Sequence, residues 1–242
     1  MKVKIPMISL GLICYQGHSS AAVLIRDGIV LGAVAEERFS RKKFDDAFPE
    51  KSIDYLTREF NLKFSDIDHV GIAWSPKNTV IGQLKKISFN SLRFAMEKRV
   101  GATKRSRLQK FLLISNLKGE IRKRYKYKGK ISYVDHHLSH ALSAYVQSGH
   151  DDGVVMVADG MGEHASTTLY EFKEGKHEII YQDSFPHSLG VFYSAATQFL
   201  GFTPDSDEFK VMGMSAYSRS QRFHERVGKL YSFKKKHLFL YY

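Results

Sequence analysis

Residues 7–36 read MISLGLICYQGHSSAAVLIRDGIVLGAVAE. Asp27-Gly28 separates two apolar runs, Ala21 to Arg26 and Ile29 to Glu36, which is a strong short-range hairpin signal. A third apolar run, Met7 to Tyr15, precedes them across a polar, glycine-bearing turn, Gln16 to Ser20. The segment therefore predicts three consecutive strands in a meander. At Asp152-Gly153 the pattern starts again. Val154 to Ala158 is a buried-strand run, Asp159-Gly160-Met161-Gly162-Glu163 a Gly-rich turn, and Ser166 to Phe172 alternates like a strand. Glu174-Gly175 then turns the chain into His177 to Asp183.

Each meander leads to a helix. After the first, Pro49 to Phe60 places Ile53, Leu56 and Phe60 on one face. A strand follows at Ile67 to Trp74, helical propensity from Asn78 to Leu117, a strand at Ile131 to Asp135 and a helix at His136 to Val146. After the second, Leu189 to Leu200 is helical, with Leu189, Phe192, Ala196 and Phe199 assigned to core packing. These readings divide the chain into a first subdomain, 1–150, with a basic helical insert near 77–130, and the start of a second, 151–242. The second copy stops early, and the tail from Phe233 to Tyr242 shows no clear continuation.

Composition narrows the class. Of 242 residues, 43% are hydrophobic and 26% charged, which excludes a disordered chain, a collagen-like repeat and a disulfide scaffold. The single cysteine, Cys14, allows neither an internal disulfide nor a cysteine zinc cluster, and fits a reducing cytoplasm. The net charge of +12 is concentrated between Lys77 and Lys130, where Glu97 and Glu120 are the only acids. With no RNA-binding aromatic motif or zinc finger beside it, this stretch reads as a solvated basic helical insert rather than a nucleic-acid site. No apolar run is long enough to span a bilayer. The basic start and apolar run to Tyr15 imitate a signal peptide, but Ile13 precedes Cys14 and no small-residue cleavage site follows, so a buried strand is expected.

The duplicated meander resembles the plan of the actin-like ATPase superfamily, an RNase H-like α/β fold, here with the second copy incomplete. In that superfamily the two first turns face each other and cradle nucleotide phosphates, with backbone N–H groups forming an anion nest and glycine permitting close approach.

The densest chemical cluster is Asp135-His136-His137-Leu138-Ser139-His140. On a helix, His136 and His140 project from one face, and two imidazoles so spaced suit one iron or zinc ion. The same pair also serves as solvent-facing or helix-capping histidines. Asp159, ending a buried strand, is the best third ligand, since a buried carboxylate needs a partner or a cation.

The chain further resembles the nodulation-protein-U-type O-carbamoyltransferases. The matching blocks are Gly17-His18-Ser19-Ser20-Ala21-Ala22, Glu36-Glu37-Arg38-Phe39-Ser40-Arg41-Lys42-Lys43 and His136-His137-Leu138-Ser139-His140-Ala141. They continue with Asp159-Gly160-Met161-Gly162-Glu163, Phe185-Pro186-His187-Ser188-Leu189-Gly190 and Glu208-Phe209-Lys210-Val211-Met212-Gly213. The resemblance implies an N-terminal domain that moves a carbamoyl group from carbamoyladenylate to a hydroxyl of a small-molecule acceptor. A YrdC-like domain makes that adenylate from carbamoyl phosphate and ATP. By position, His136, His140 and Asp159 match the family's metal ligands, with iron the expected metal. A further family aspartate and the YrdC-like domain lie beyond this sequence, so a separate YrdC-like chain is an expected partner, and weak or no transfer is expected without one.

By the same resemblance His18 is a general acid/base or acceptor-binding group, with Ser19 where the family has Asp; a hydrogen-bonded turn histidine is the alternative. Gly17, Lys42, Lys43, Gly160, Gly162, Glu208, Lys210 and Gly213 match positions that would meet phosphate, adenylate or acceptor. For Lys42 and Lys43 the alternative is solvated lysines, and for Glu208 and Lys210 a local ion pair. Two other functions remain open: a nucleotide-binding module without catalysis, and a threonylcarbamoyl-type transferase acting on tRNA.

Overall fold

The computed structural model describes residues 7–16, 19–77, 107–217, 221–234 and 237–240. They form two compact units, 7–77 with 107–135, and 136–240.

In the first unit, β1 (Ile8–Ile13) alternates, burying Ile8, Leu10 and Leu12. It pairs antiparallel with β2 (Ala21–Arg26), which pairs antiparallel with β3 (Ile29–Ala35). Asp27 and Gly28 both take positive φ, 50° and 84°, the signature of a type I′ turn whose twist matches the strands it joins. Strands β4 (His69–Ile72) and β5 (Lys130–Tyr133) add in parallel, giving the order β3-β2-β1-β4-β5.

Helix α1 (Glu37–Ser40) is one short turn, and α2 (Glu50–Glu59) buries Ile53 and Leu56 in the core with Leu10, Leu24 and Val70. Helix α3 (Arg107–Tyr125) runs past the expected end at Leu117. The reason is a second register of apolar residues: Ile114, Leu117 and Ile121 are buried at helical spacing within the basic sequence. This part of the basic stretch is thus one wall of a core. Residues 78–106 of the proposed insert, with Leu84, Ile87, Leu92 and Phe94, lie outside the described residues.

Acids in this unit serve its backbone. Glu36 is buried and accepts the Lys51 and Ser52 N–H groups at 3.2 and 2.8 Å and the Ser52 hydroxyl at 2.7 Å, satisfying orphan donors at the start of α2. Glu36→Ala strands these donors and is expected to cost about 1–3 kcal/mol, read as a lowered thermal midpoint by circular dichroism.

The second unit opens with α4 (His136–Ser148), whose Ala141 is buried against Val157, Tyr170 and Phe172. Its sheet is β6 (Gly153–Ala158), β7 (Ala165–Lys173) and β8 (Lys176–Ser184), all antiparallel. Glu174 and Gly175, at φ 51° and 71°, repeat the positive-φ turn of the first meander. Helices α5 (Leu189–Phe199), α6 (Glu208–Ser215) and α7 (His224–Gly228) follow. The tail, which shows no clear continuation of the pattern in the sequence, forms an antiparallel hairpin, β9 (Tyr231–Lys234) with β10 (His237–Leu240).

The core assignment within α5 needs correcting. Leu189 is exposed and Phe199 is 90% exposed, while Thr197 is the buried residue of this helix. Phe192 and Ala196 of the stripe are half-buried, and the helix is further held by its polar N-terminal end, described below. Each unit thus carries a three-stranded antiparallel meander followed by helices, the repeated α/β pattern expected from the sequence. Among the described residues, no helix is long and apolar enough to cross a membrane.

Candidate metal centre

The centre is built entirely within the second unit, on the turn 159–163. His136 opens α4, so its backbone N–H has no partner inside the helix. Both oxygens of Glu163 accept it at 3.1 Å. Glu163 is buried, and a carboxylate at this end of a helix also complements its dipole. Gly162 brings the turn against the rings: a Cβ at 162 would lie 2.9 Å from His137 Cδ2 and 3.4 Å from His136 Cδ2.

Asp159 follows the last residue of β6, its N–H bonded to Ser166 O at 3.1 Å. Ser188 caps α5 by accepting the Val191 N–H at 3.1 Å. The same hydroxyl lies 2.9 Å from the carbonyl of Asp159 and 2.7 Å from that of Gly160. Gly190 packs directly on this backbone: a Cβ there would sit 2.5 Å from Asp159 C and O and from Gly160 N.

These supports bring three ligand-type atoms together. His136 Nε2 lies 3.2 Å from Asp159 Oδ2 and 3.1 Å from His140 Nε2. One donor atom each from His136, His140 and Asp159 falls within 4.8 Å of the others. Lone pairs facing one another at this range are stable only with a proton or a cation between them. Two imidazoles and one carboxylate suit a divalent ion such as iron or zinc, so the residues present fit the expected metal. His140 is exposed, and the cluster opens onto a depression lined by His140, Ala144, Val155–Ala158 of β6 and Asp159.

Electrostatics agree with this role. Burial alone would raise the Asp159 carboxyl, but hydrogen bonds from His136 and His137 hold it down to about 2. Burial, then the neighbouring His136, push His140 below the ordinary imidazole value, with Asp159 opposing, a direction that favours the neutral ring a metal would need. The depressed carboxyl stabilises the fold above its unfolded value near 4, and that contribution, about 2 kcal/mol, is lost as pH falls toward 2. Thermal melts of metal-free protein at pH 5 and pH 2.5 should show the drop, and Asp159→Asn should reduce it.

The remaining candidates fall in separate places. Gly17 and His18 lie outside the described residues. Lys42 and Lys43 belong to the first unit. Lys42 Nζ is 3.7 Å from Asp45 Oδ1, and Lys43 Nζ stands 4.9 Å from the Phe44 ring centroid. In the second unit, Lys210 pairs with Asp207 at 2.8 Å. Glu208 accepts the Ser194 hydroxyl and the Asp205 N–H, both at 2.7 Å. Burial would raise the Glu208 carboxyl, but these bonds hold it below the ordinary carboxylate range. Gly160 and Gly213 have open space where a Cβ would stand.

Four residues that matter escaped sequence reasoning: His137, Glu163, Ser188 and Gly190. Ser188-Leu189-Gly190 before an apolar helix carried a capping signal. Nothing in the one-dimensional pattern pointed that cap at Asp159.

The family model "Carbamoyltransferase N-terminus" matches residues 9–241. The uncharacterized protein sll1178 of Synechocystis sp. is 34% identical over 215 residues, 86% of this chain and 34% of that protein. Nodulation protein NolNO of Sinorhizobium fredii is 33% identical over 204 residues, 83% of this chain and 28% of that protein. The chain thus spans about a third of the length of the curated relatives it matches. Among solved structures, YeaZ from Pseudomonas aeruginosa aligns with a TM-score of 0.41 at 11% identity, covering 75% of this chain and 68% of that one. The Aquifex aeolicus PPX-GPPA enzyme aligns at 0.37 and 12% identity, covering 95% of this chain and 66% of that one. With the family model matched over nearly its whole length, the chain belongs to the family of carbamoyltransferase N-terminal domains.

Proposed function

We propose that this chain is the metal-bearing, acceptor-side part of an O-carbamoyltransferase, moving a carbamoyl group from carbamoyladenylate to a hydroxyl of a small-molecule acceptor. The convergence of His136, His140 and Asp159 is the observation that carries this reading. A hydroxyl is a weak nucleophile at neutral pH and needs activation. When bound by those three side chains, a divalent ion supplies polarisation of carbonyl or phosphate oxygens. His136 and His140 present imidazole nitrogens, Asp159 offsets the charge, and Glu163 fixes the start of the helix that carries both rings. Gly17 and His18 in the first meander turn, with Lys42 and Lys43, are proposed to meet the adenylate and the acceptor.

The test supplies labelled carbamoyl phosphate, ATP, Fe²⁺ and a panel of hydroxyl acceptors to the chain, with and without a separately expressed YrdC-like protein. Label is expected on an acceptor only when both proteins are present, and not with His140→Ala. Equal labelling by the His140→Ala chain would overturn the metal reading, and transfer by the 242-residue chain alone would overturn the division of labour.

A further inference from the structure

We propose that His137 is a positioning residue: locked by Thr168 as an Nε2–H donor, it holds one oxygen of Asp159 and leaves the other for the ion. The inference rests on the metal reading above. His137 is 1% exposed and Thr168 fully buried. A buried imidazole is costly unless both nitrogens are paired, and here both are. Nε2 lies 3.1 Å from Asp159 Oδ1 and Nδ1 lies 2.8 Å from Thr168 Oγ1. A carboxylate only accepts, so Nε2 carries the proton; Nδ1 then accepts, and the Thr168 hydroxyl donates to it.

The direction continues beyond Thr168. Its oxygen is 3.4 Å from Gln182 Nε2, and Gln182 Oε1 is 3.2 Å from His164 Nε2. From His164 inward, each group donates to the next: His164 to Gln182, Gln182 to Thr168, Thr168 to His137, His137 to Asp159. The chain ends on Oδ1, while Oδ2 of the same carboxylate faces His136 Nε2 at 3.2 Å. His137 is thereby kept out of the ligand set, although it is adjacent in sequence to His136, because its Nε2 lone pair is occupied by a proton. Partners of this kind set the orientation and basicity of a ligating group.

The experiment titrates Fe²⁺ under argon into the 242-residue chain by calorimetry and records the visible spectrum of the Co²⁺ form. Thr168→Val keeps the side-chain shape and removes the donor; Thr168→Ser restores it; His137→Phe removes both bonds. Thr168→Val is expected to weaken Fe²⁺ binding about tenfold and His137→Phe about 10–100-fold. Both should change the Co²⁺ bands, while Thr168→Ser stays within about twofold of wild type. A purely structural role would move the thermal midpoint and leave affinity and spectrum alone. Folded Thr168→Val that binds Fe²⁺ like wild type with unchanged Co²⁺ bands overturns the proposal, and so does Thr168→Ser failing as badly as valine. If His137→Phe does not fold, the Thr168 pair decides. A wild-type chain that takes up no ion removes the metal reading and this inference with it, a result distinct from equal binding by all variants.

Discussion

Asp159→Asn is expected to weaken Fe²⁺ binding by more than about 100-fold, beyond the range typical of outer-shell partners, while the metal-free protein still folds at neutral pH. The asparagine keeps a carbonyl oxygen that can accept from His137, and its backbone remains tied to Ser166 and Ser188. What disappears is the negative charge, the one anionic member of the set formed with His136 and His140. Without it a divalent ion meets two neutral nitrogens, and its own charge is left uncompensated in a partly buried site. The effect is visible twice, in calorimetry and in melts with and without Fe²⁺. Ligand at a hundredfold excess over its dissociation constant stabilises wild type by about 2.7 kcal/mol, and that increment should vanish in the variant. Wild-type affinity in Asp159→Asn would exclude the carboxylate as a ligand.

Gly190→Ala is expected to cost about 3 kcal/mol, the upper part of the range for overpacking, and to lower the melting midpoint by roughly 6–12 °C for a chain of this size. The added methyl would meet three backbone atoms of Asp159 and Gly160 at 2.5 Å. No flexible side chain stands there to move aside, so either α5 lifts from the turn or the turn shifts. A lifted α5 breaks the Ser188 contacts to the Asp159 and Gly160 carbonyls, so ion affinity should fall along with stability. Gly160→Ala is the internal control, because a Cβ there meets nothing within 4 Å. A midpoint for Gly190→Ala within a degree of wild type would mean the helix start does not rest on this turn.

Much of the architecture was legible because two local signals repeat. Asp27-Gly28 and Glu174-Gly175 each close a hairpin with two positive φ values, and both are flanked by runs of strand length, of which Ser166 to Phe172 alternates in the sequence. The His136–His140 spacing gave one helix face, and Asp159 followed from its place at a strand end. Other features were hidden for physical reasons. Leu189 and Phe199 have core spacing, but burial depends on what packs opposite, which periodicity does not encode. The buried face of α3 was masked by its lysines and arginines, because Ile114, Leu117 and Ile121 sit among them. The link from His137 through Thr168 to Gln182 joins residues on α4, β7 and β8, and only the folded register of those elements brings them together.

The beginnings of α4 and α5 both abut the same five-residue turn, one through Glu163 and the other through Ser188 and Gly190. The bite between the imidazoles and the carboxylate is therefore set where the two rods start, and their far ends have no say in it. Lengthening either rod by a turn at its distal tip is expected to leave that bite, and with it the proposed ion site, unchanged.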